Sequence, residues 1–268
     1  MRACFICDSA VNVDQYASVA SQDYLRCSHC GLIFVDRIKP PDKLYHAYDG
    51  GFLKAWRRKL VAPFRGFTLV RNFDKSMARA NRIFDFVVSL HHVPSQTGSL
   101  HYASPTWLDI GCNKGFLLAA AVTHGWQVYG VELVPELMIP LQRKFKQFAG
   151  NIFSKRFIDV QANFTGNTFD VISAIDVLEH FEEPRRDASA IYRLLKPGGL
   201  FVAQTPDGAV KQAGELRERW GALKPLEHLH LFNAMNLEIF SNQLGFAGIK
   251  FFAPFDQADG NLVAVMRK

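Results

Sequence analysis

Trp107-Leu108-Asp109-Ile110-Gly111-Cys112-Asn113-Lys114-Gly115 is the stretch on which the reading of this chain turns. Thr106 to Ile110 is a short apolar run bounded by a turn signal, the pattern of a buried parallel strand. Gly111 permits a sharp turn at the strand end, and Gly115 lets the next backbone approach a ligand with no side chain in the way. Phe116 to His124 has helical composition and closes at Gly125, a natural C-cap. Gln127 to Val131 is a second strand ending on Glu132, about 20 residues beyond the loop. In a doubly wound sheet such a carboxylate lies over the glycine loop and can accept both hydroxyls of an adenosine ribose. The pattern is that of a nucleoside cofactor site on an α/β fold.

A dinucleotide loop would read G-x-G-x-x-G, its second glycine making room for a pyrophosphate. Here that middle glycine is missing, and Asp109, just before the loop, would repel a pyrophosphate. An acid there suits a ligand carrying an ammonium and a sulfonium. At these residues the chain resembles the class I methyltransferases that use S-adenosyl-L-methionine (SAM), whose first motif is roughly D-x-G-C-G-x-G. Asn113 stands where that family usually has glycine, and Asn tolerates unusual backbone angles. Phe169 to His180, ending Val177-Leu178-Glu179-His180, resembles the family's fourth strand and its "VLEH" signature. Leu195-Lys196-Pro197-Gly198-Gly199 resembles the turn feeding its fifth strand, Leu200 to Gln204. The resemblance implies a Rossmann-like seven-stranded sheet and SAM held by Asp109, Gly111, Cys112, Gly115, Glu132, Phe157 and Ile175. Ile158 and Asp159 would lie along the adenine beside Phe157. The alternative is a generic α/β domain with a coincidental glycine turn.

At 268 residues and 49% hydrophobic composition, the chain can bury a full α/β core and carry a small appendage. No apolar run is long enough to cross a membrane, and Met1 to Cys7 lacks a signal-peptide segment, so a cytoplasmic protein is expected. A formal net charge of +6 favours anionic partners without naming one.

Cys4-x2-Cys7 and Cys27-x2-Cys30 form two knuckles, the spacing of a closed structural Zn(II) ribbon. A pair of disulfides is the alternative, and would need an oxidising compartment. His29 lies inside the second knuckle and could replace a cysteine. The expected organisation is a ribbon over 1–40, a basic and helical connecting region over 41–98, and the SAM-binding domain over 99–268. Tyr45 and Tyr48 precede a basic stretch, Lys54, Arg57, Arg58, Lys59, Arg65, Arg71 and Lys75, opposed only by Asp74. This stretch is either a solvated helical surface or a platform for a phosphate-bearing substrate. Ala80 to Leu90 has helical apolar spacing, and Val93 to Pro105 reads as a linker. Pro135 is expected to open a helix to about Phe148, with a strand and turn over Asn151 to Asp159. A helix from Pro184 to near Leu195 follows. Asn233 to Leu244 should be a further helix, with Ala247 to Phe252 and Leu262 to Met266 as the last two strands.

Between the fifth strand and the Asn233 helix lies an insertion holding Trp220 and Lys224-Pro225-Leu226-Glu227-His228-Leu229. With the ribbon and the core, this segment resembles zinc-binding methyltransferases that modify sugars, including nucleotide-linked sugars. The resemblance implies that His228 acts as a base, Glu227 assists, and His180 lines the pocket. Those enzymes are longer and carry a tyrosine where Pro225 stands. An imidazole titrating near neutrality suits removal of an acceptor proton, and Glu227 could hold its tautomer or bind a substrate hydroxyl. Each histidine could instead be a buried structural group. The expected function is a SAM-dependent methyltransferase acting on a small biosynthetic acceptor. The competing readings are an RNA methyltransferase gripping phosphates through the ribbon and basic stretch, or a non-catalytic SAM-binding interaction module.

Overall fold

A computed structural model describes residues 3–7, 13–38, 66–91, 104–138, 142, 144–256 and 260–268. Tyr45, Tyr48, the basic residues from Lys54 to Arg65, the Arg71 side chain and most of the expected linker lie outside the described residues.

Two sheets organise the rest. β1 (Val13–Val19), β2 (Gln22–Cys27) and β3 (Ile33–Val35) form an antiparallel ribbon. The large sheet contains β4 (Thr106–Ile110), β5 (Gln127–Val131), β6 (Ile152–Phe153), β7 (Phe169–Ile175) and β8 (Leu195–Pro206). β9 (His230–Leu231) leaves the large domain and pairs with β3 as the fourth strand of the ribbon sheet. β10 (Gly248–Phe252) and β11 (Asn261–Arg267) complete the large sheet, whose order is β10-β11-β8-β7-β4-β5-β6. β4 to β8 run parallel, and β11 is antiparallel to both β8 and β10.

β4 has β5 on one side and β7 on the other, so the strand order reverses beside it, where open α/β sheets bind ligands. Its buried run Trp107, Leu108 and Ile110 is covered on both faces, as a central parallel strand requires. α1 (Gly66–Leu90) packs one face with Ala80, Ile83, Phe84 and Val87, and extends the expected 80–90 segment toward the N-terminus. α2 (Phe116–Thr123) lies beside it, and Gly125 turns the chain at φ +80° into β5. α3 (Pro184–Leu194) starts on its proline as expected. α4 (Lys211–Leu216) lies in the insertion. α5 (Ala234–Leu244) is capped by Asn233 through a reciprocal pair of bonds with Asn236.

The expected helix from Pro135 to Phe148 is corrected at both ends. Pro135–Leu137 and Lys146–Phe148 are 3-10 turns. Between them Gln142 and Lys144 are helical, and the Gln142 N–H donates to the Met138 carbonyl at 2.9 Å. The ribbon sheet takes its last strand, β9, from the insertion. Trp220, Leu223 and Leu229 of that insertion pack on Tyr24, Ile33 and Val35 of the ribbon. Each large side chain buried there contributes about 1.5–3 kcal/mol.

Candidate active site

A cavity of about 1060 Å³ opens at the carboxyl ends of β4, β5 and β7. Asp109, Gly111, Cys112, Glu132, Phe157, Ile158, Asp159 and Ile175 line one part of it, and Glu179, His180, Glu227 and His228 line another. Apart from Glu179, which the sequence did not single out, these two groups were expected from the sequence, and they share one space.

At the β4 end, Gly111 has φ +70° and Gly115 φ +76°. A Cβ at Gly111 would lie 2.4 Å from Val177 Cγ2. Gly111→Ala combines that clash with a left-handed penalty of about 1–2 kcal/mol. It is expected to lower the melting temperature and weaken SAM binding, checked by a thermal melt and calorimetry; unchanged values would mean that the loop has another conformation. Gly115, expected to let the backbone approach a ligand, is constrained by packing as well. It is buried, does not line the cavity, and a Cβ there would meet Met138 Cε at 2.6 Å, so its lack of a side chain accommodates packing. Cys112 is likewise packed, with Sγ 3.8 Å from Met138 Sδ. Asn113 adopts φ +49°, a left-handed angle that Asn accommodates.

Glu132 Oε2 accepts the Asn113 N–H at 2.8 Å, and Oε1 accepts the Val134 N–H at 2.9 Å. Those bonds orient the carboxylate toward the cavity. Trp107 Nε1 donates to Ser173 Oγ at 2.8 Å, and Ser173 Oγ donates to Asp109 Oδ1 at 2.6 Å. Burial pushes Asp109 up to about 7, against the Ser173 bond. Burial also raises Glu132, opposed by its backbone donors. Two buried carboxylates of raised pKa facing one cavity suit a ligand with a cationic end and a vicinal diol. They fit SAM: Asp109 would hold the methionyl end and Glu132 the ribose.

The far wall is built from the β7 end and the insertion. His180 Nδ1 lies 2.7 Å from the Glu227 carbonyl oxygen, and His228 Nδ1 lies 2.8 Å from that of Ala222. A carbonyl only accepts, so both Nδ1 atoms carry the proton and both Nε2 atoms present lone pairs. The Ala222 carbonyl thus sets the tautomer of His228, and the Glu227 carbonyl that of His180. The rings meet edge to face at 5.0 Å. Donor atoms of Glu179, His180 and His228 all lie within 4.8 Å of one another. Burial, then the neighbouring His180 and Lys224, pushes His228 down to about 3. Burial pushes Glu179 up to about 8, although Thr205 Oγ1 donates to its Oε2 at 2.9 Å.

Sequence reasoning missed Glu179 as a functional group, though it stands beside His180 in the quoted signature. It also missed Arg79, which reaches the cavity from α1 and lies 3.6 Å from Asp176 and 3.4 Å from Asp256. Nothing distinguished Arg79 from its basic neighbours in the sequence. Leu226, two residues before His228, has φ +71°. A β-carbon-bearing apolar residue held there is strained, as functional loops often are.

Away from the cavity, the four ribbon cysteines bring their sulfurs within 4.8 Å of one another. Cys4 and Cys30 are 3.6 Å apart and Cys7 and Cys27 3.9 Å, and all four are free thiols. With metal–sulfur bonds of about 2.3 Å, a zinc tetrahedron has sulfur–sulfur edges of about 3.8 Å.

Residues 95–250 match the family model described as a methyltransferase domain. The chain belongs to the class I SAM-dependent methyltransferases. It is similar to a ubiquinone biosynthesis O-methyltransferase of Idiomarina loihiensis, at 29% identity over 180 residues, which covers 60% of this chain and 74% of that one. The enzyme of the same description from Cereibacter sphaeroides is 33% identical over 99 residues, 37% of this methyltransferase and 40% of the relative. Among solved structures, a SAM-dependent methyltransferase from Archaeoglobus fulgidus superimposes with a TM-score of 0.55 at 15% identity, covering 76% of this chain and all, 100%, of the other. The Burkholderia thailandensis 1,6-didemethyltoxoflavin-N1-methyltransferase, solved with its substrate and S-adenosylhomocysteine, also gives 0.55, at 17% identity over 93% of this chain and 96% of that one. At such identities these structures speak for the fold. No helix among the described residues is long and apolar enough to cross a membrane.

Proposed function

We propose that this methyltransferase acts on a hydroxyl of a small biosynthetic acceptor, of the sugar or nucleotide-linked sugar class, using Glu179, His180 and His228 together as the proton acceptor. The observation that carries this reading is the convergence of those three groups on the cavity that also contains Asp109 and Glu132. A hydroxyl must lose its proton as its oxygen is methylated, and this wall offers two imidazole lone pairs beside a buried carboxyl. The O-methyltransferase relatives support oxygen as the atom methylated.

Bound SAM would supply an electrophilic methyl on its sulfonium sulfur, with S-adenosylhomocysteine, a neutral thioether, as the leaving group. Asp109 and Glu132 would fix its two ends, so that alignment of the acceptor oxygen with the methyl provides much of the rate. A neutral, buried His228 is a weak base by itself. An ionised Glu179 beside the rings stabilises an imidazolium, so the three groups act as one coupled acceptor. The acceptor O–H proton passes to Nε2 of His228 and leaves through the wider cavity to solvent. Labelled SAM tested against panels of sugar nucleotides, phenolic hydroxyl compounds and RNA checks the reading. Transfer to RNA alone would overturn it, and transfer to phenols alone would move the acceptor class.

The cysteine cluster is proposed to hold one structural Zn(II) through Cys4, Cys7, Cys27 and Cys30. The near-tetrahedral sulfur spacing supports this, and a closed thiolate set leaves no position for catalysis. Metal analysis of the purified protein should return about one zinc per chain. Its absence, or disulfides by mass spectrometry, would remove the ribbon metal. A second reading of the cavity wall, a divalent cation on Glu179, His180 and His228, is favoured by the same mutual reach of 4.8 Å. A second metal equivalent lost in His228→Ala would support that reading over the proton acceptor.

A further inference from the structure

We infer that the four-cysteine cluster positions the histidine pair, and so governs the acceptor side of the cavity while leaving the SAM side independent. This rests on the zinc reading above. The connection runs through the main chain. β3 begins three residues after Cys30 and pairs with β9, Ile33 opposite Leu231 and Phe34 opposite His230. The Val35 N–H donates to the Leu229 carbonyl at 3.0 Å, and the Leu229 N–H donates to the Glu179 carbonyl at 2.8 Å. Leu229, the neighbour of His228, is therefore tied on one side to the ribbon and on the other to the residue bearing the buried carboxyl.

A second tie reinforces the first. The Cys30 carbonyl accepts from Asn233 Nδ2 at 3.2 Å and from Asn236 Nδ2 at 3.3 Å, and both amides are buried. The same two residues close the cap of α5, so both ends of the segment between His228 and α5 are referred to the knuckle. A strand of two residues such as β9 has no stability of its own, and the strained Leu226 needs surroundings that over-determine it. The ribbon strands that follow the knuckle supply them: β3 pairs with β9, and Leu226 packs on the cluster that holds Tyr24, Ile33 and Val35. By contrast, the side-chain bonds of Asp109 and Glu132 are made within the β4, β5 and β7 ends of the large sheet.

The test uses the full chain stripped of metal with a mercurial thiol reagent and chelator, then reloaded with zinc. Three signals are read: amide exchange of Val35, Leu229 and Leu231, the Nδ1–H resonances of His180 and His228, and SAM affinity by calorimetry. Stripping is expected to speed exchange at those amides by about tenfold or more and to erase both ring resonances, and zinc should restore them. SAM affinity should change by less than about twofold, because its ligands stay in place. Asn233→Ser keeps a capping oxygen but loses the amide tie to Cys30. It should retain its metal and show a partial increase in exchange confined to the 224–232 segment. Unchanged exchange and ring signals after stripping would overturn the inference, as would loss of SAM binding together with them. If the protein contains no zinc, the metal reading fails by itself. Cys27→Ser and Cys30→Ser, read against the same signals, then decide whether the knuckle still positions the histidines.

Discussion

His228→Ala is expected to lower turnover by about 10²–10⁴-fold, the usual contribution of a positioned proton acceptor, while folding and SAM binding stay nearly intact. The variant loses one hydrogen bond, to the Ala222 carbonyl, worth about 1 kcal/mol. His228 takes no part in the hydrogen bonds that hold Asp109 and Glu132, so calorimetry with SAM should return the wild-type constant. A variant that melts much earlier and loses SAM binding would mark His228 as structural, and full activity on the true acceptor would remove its role. The pH profile separates the members of the cluster. A lone imidazole of ordinary pKa would give a rising limb near neutrality, but burial pushes His228 down to about 3. The titrating group is Glu179, pushed up to about 8. Below that value its carboxyl is protonated and cannot stabilise an imidazolium; as pH rises through it, the carboxylate forms and the rate should rise. Glu179→Gln should therefore be slow and lack the limb. A wild-type limb near neutrality that survives Glu179→Gln would return the role to an imidazole titrating alone or to Asp109, which burial pushes up to about 7, and Asp109→Asn separates the two.

Glu132→Ala should reduce SAM affinity at least about tenfold, since each charge-assisted bond to the ribose is worth about 1.5–3 kcal/mol. The loss has two sources. The ribose loses its acceptors, and the Asn113 and Val134 N–H groups lose the carboxylate that orients them. Glu132→Gln helps to separate these, because its amide oxygen can still accept one N–H while the charge is gone. If the alanine variant binds SAM with an unchanged constant, the carboxylate does not meet the ribose. Asp109 would then be the only one of the two carboxylates still assigned to SAM.

The β4 loop and its two acids were legible in the chain itself because their determinants are local. Thr106 to Ile110 and Gln127 to Val131 were read with the bounds the structure has, since a buried parallel strand is a short apolar run closed by a turn residue. The loop between them follows from backbone chemistry: glycine or asparagine at the left-handed angles, and an acid at each strand end. The two cysteine knuckles were legible for the same reason. The acceptor half depends on distance in the chain. His180 and the Glu227 carbonyl that holds it are 47 positions apart, and the Asn233 amide that holds Cys30 is 203 away. No periodicity records such pairs. Tertiary structure alone made β9 a strand of the ribbon, assigned Gly115 to packing against Met138, and brought Arg79 over the cavity. It also set the protonation of the far wall. A histidine and a glutamate have ordinary pKa values in an exposed chain, and only burial in one shared pocket drives the first down and the second up.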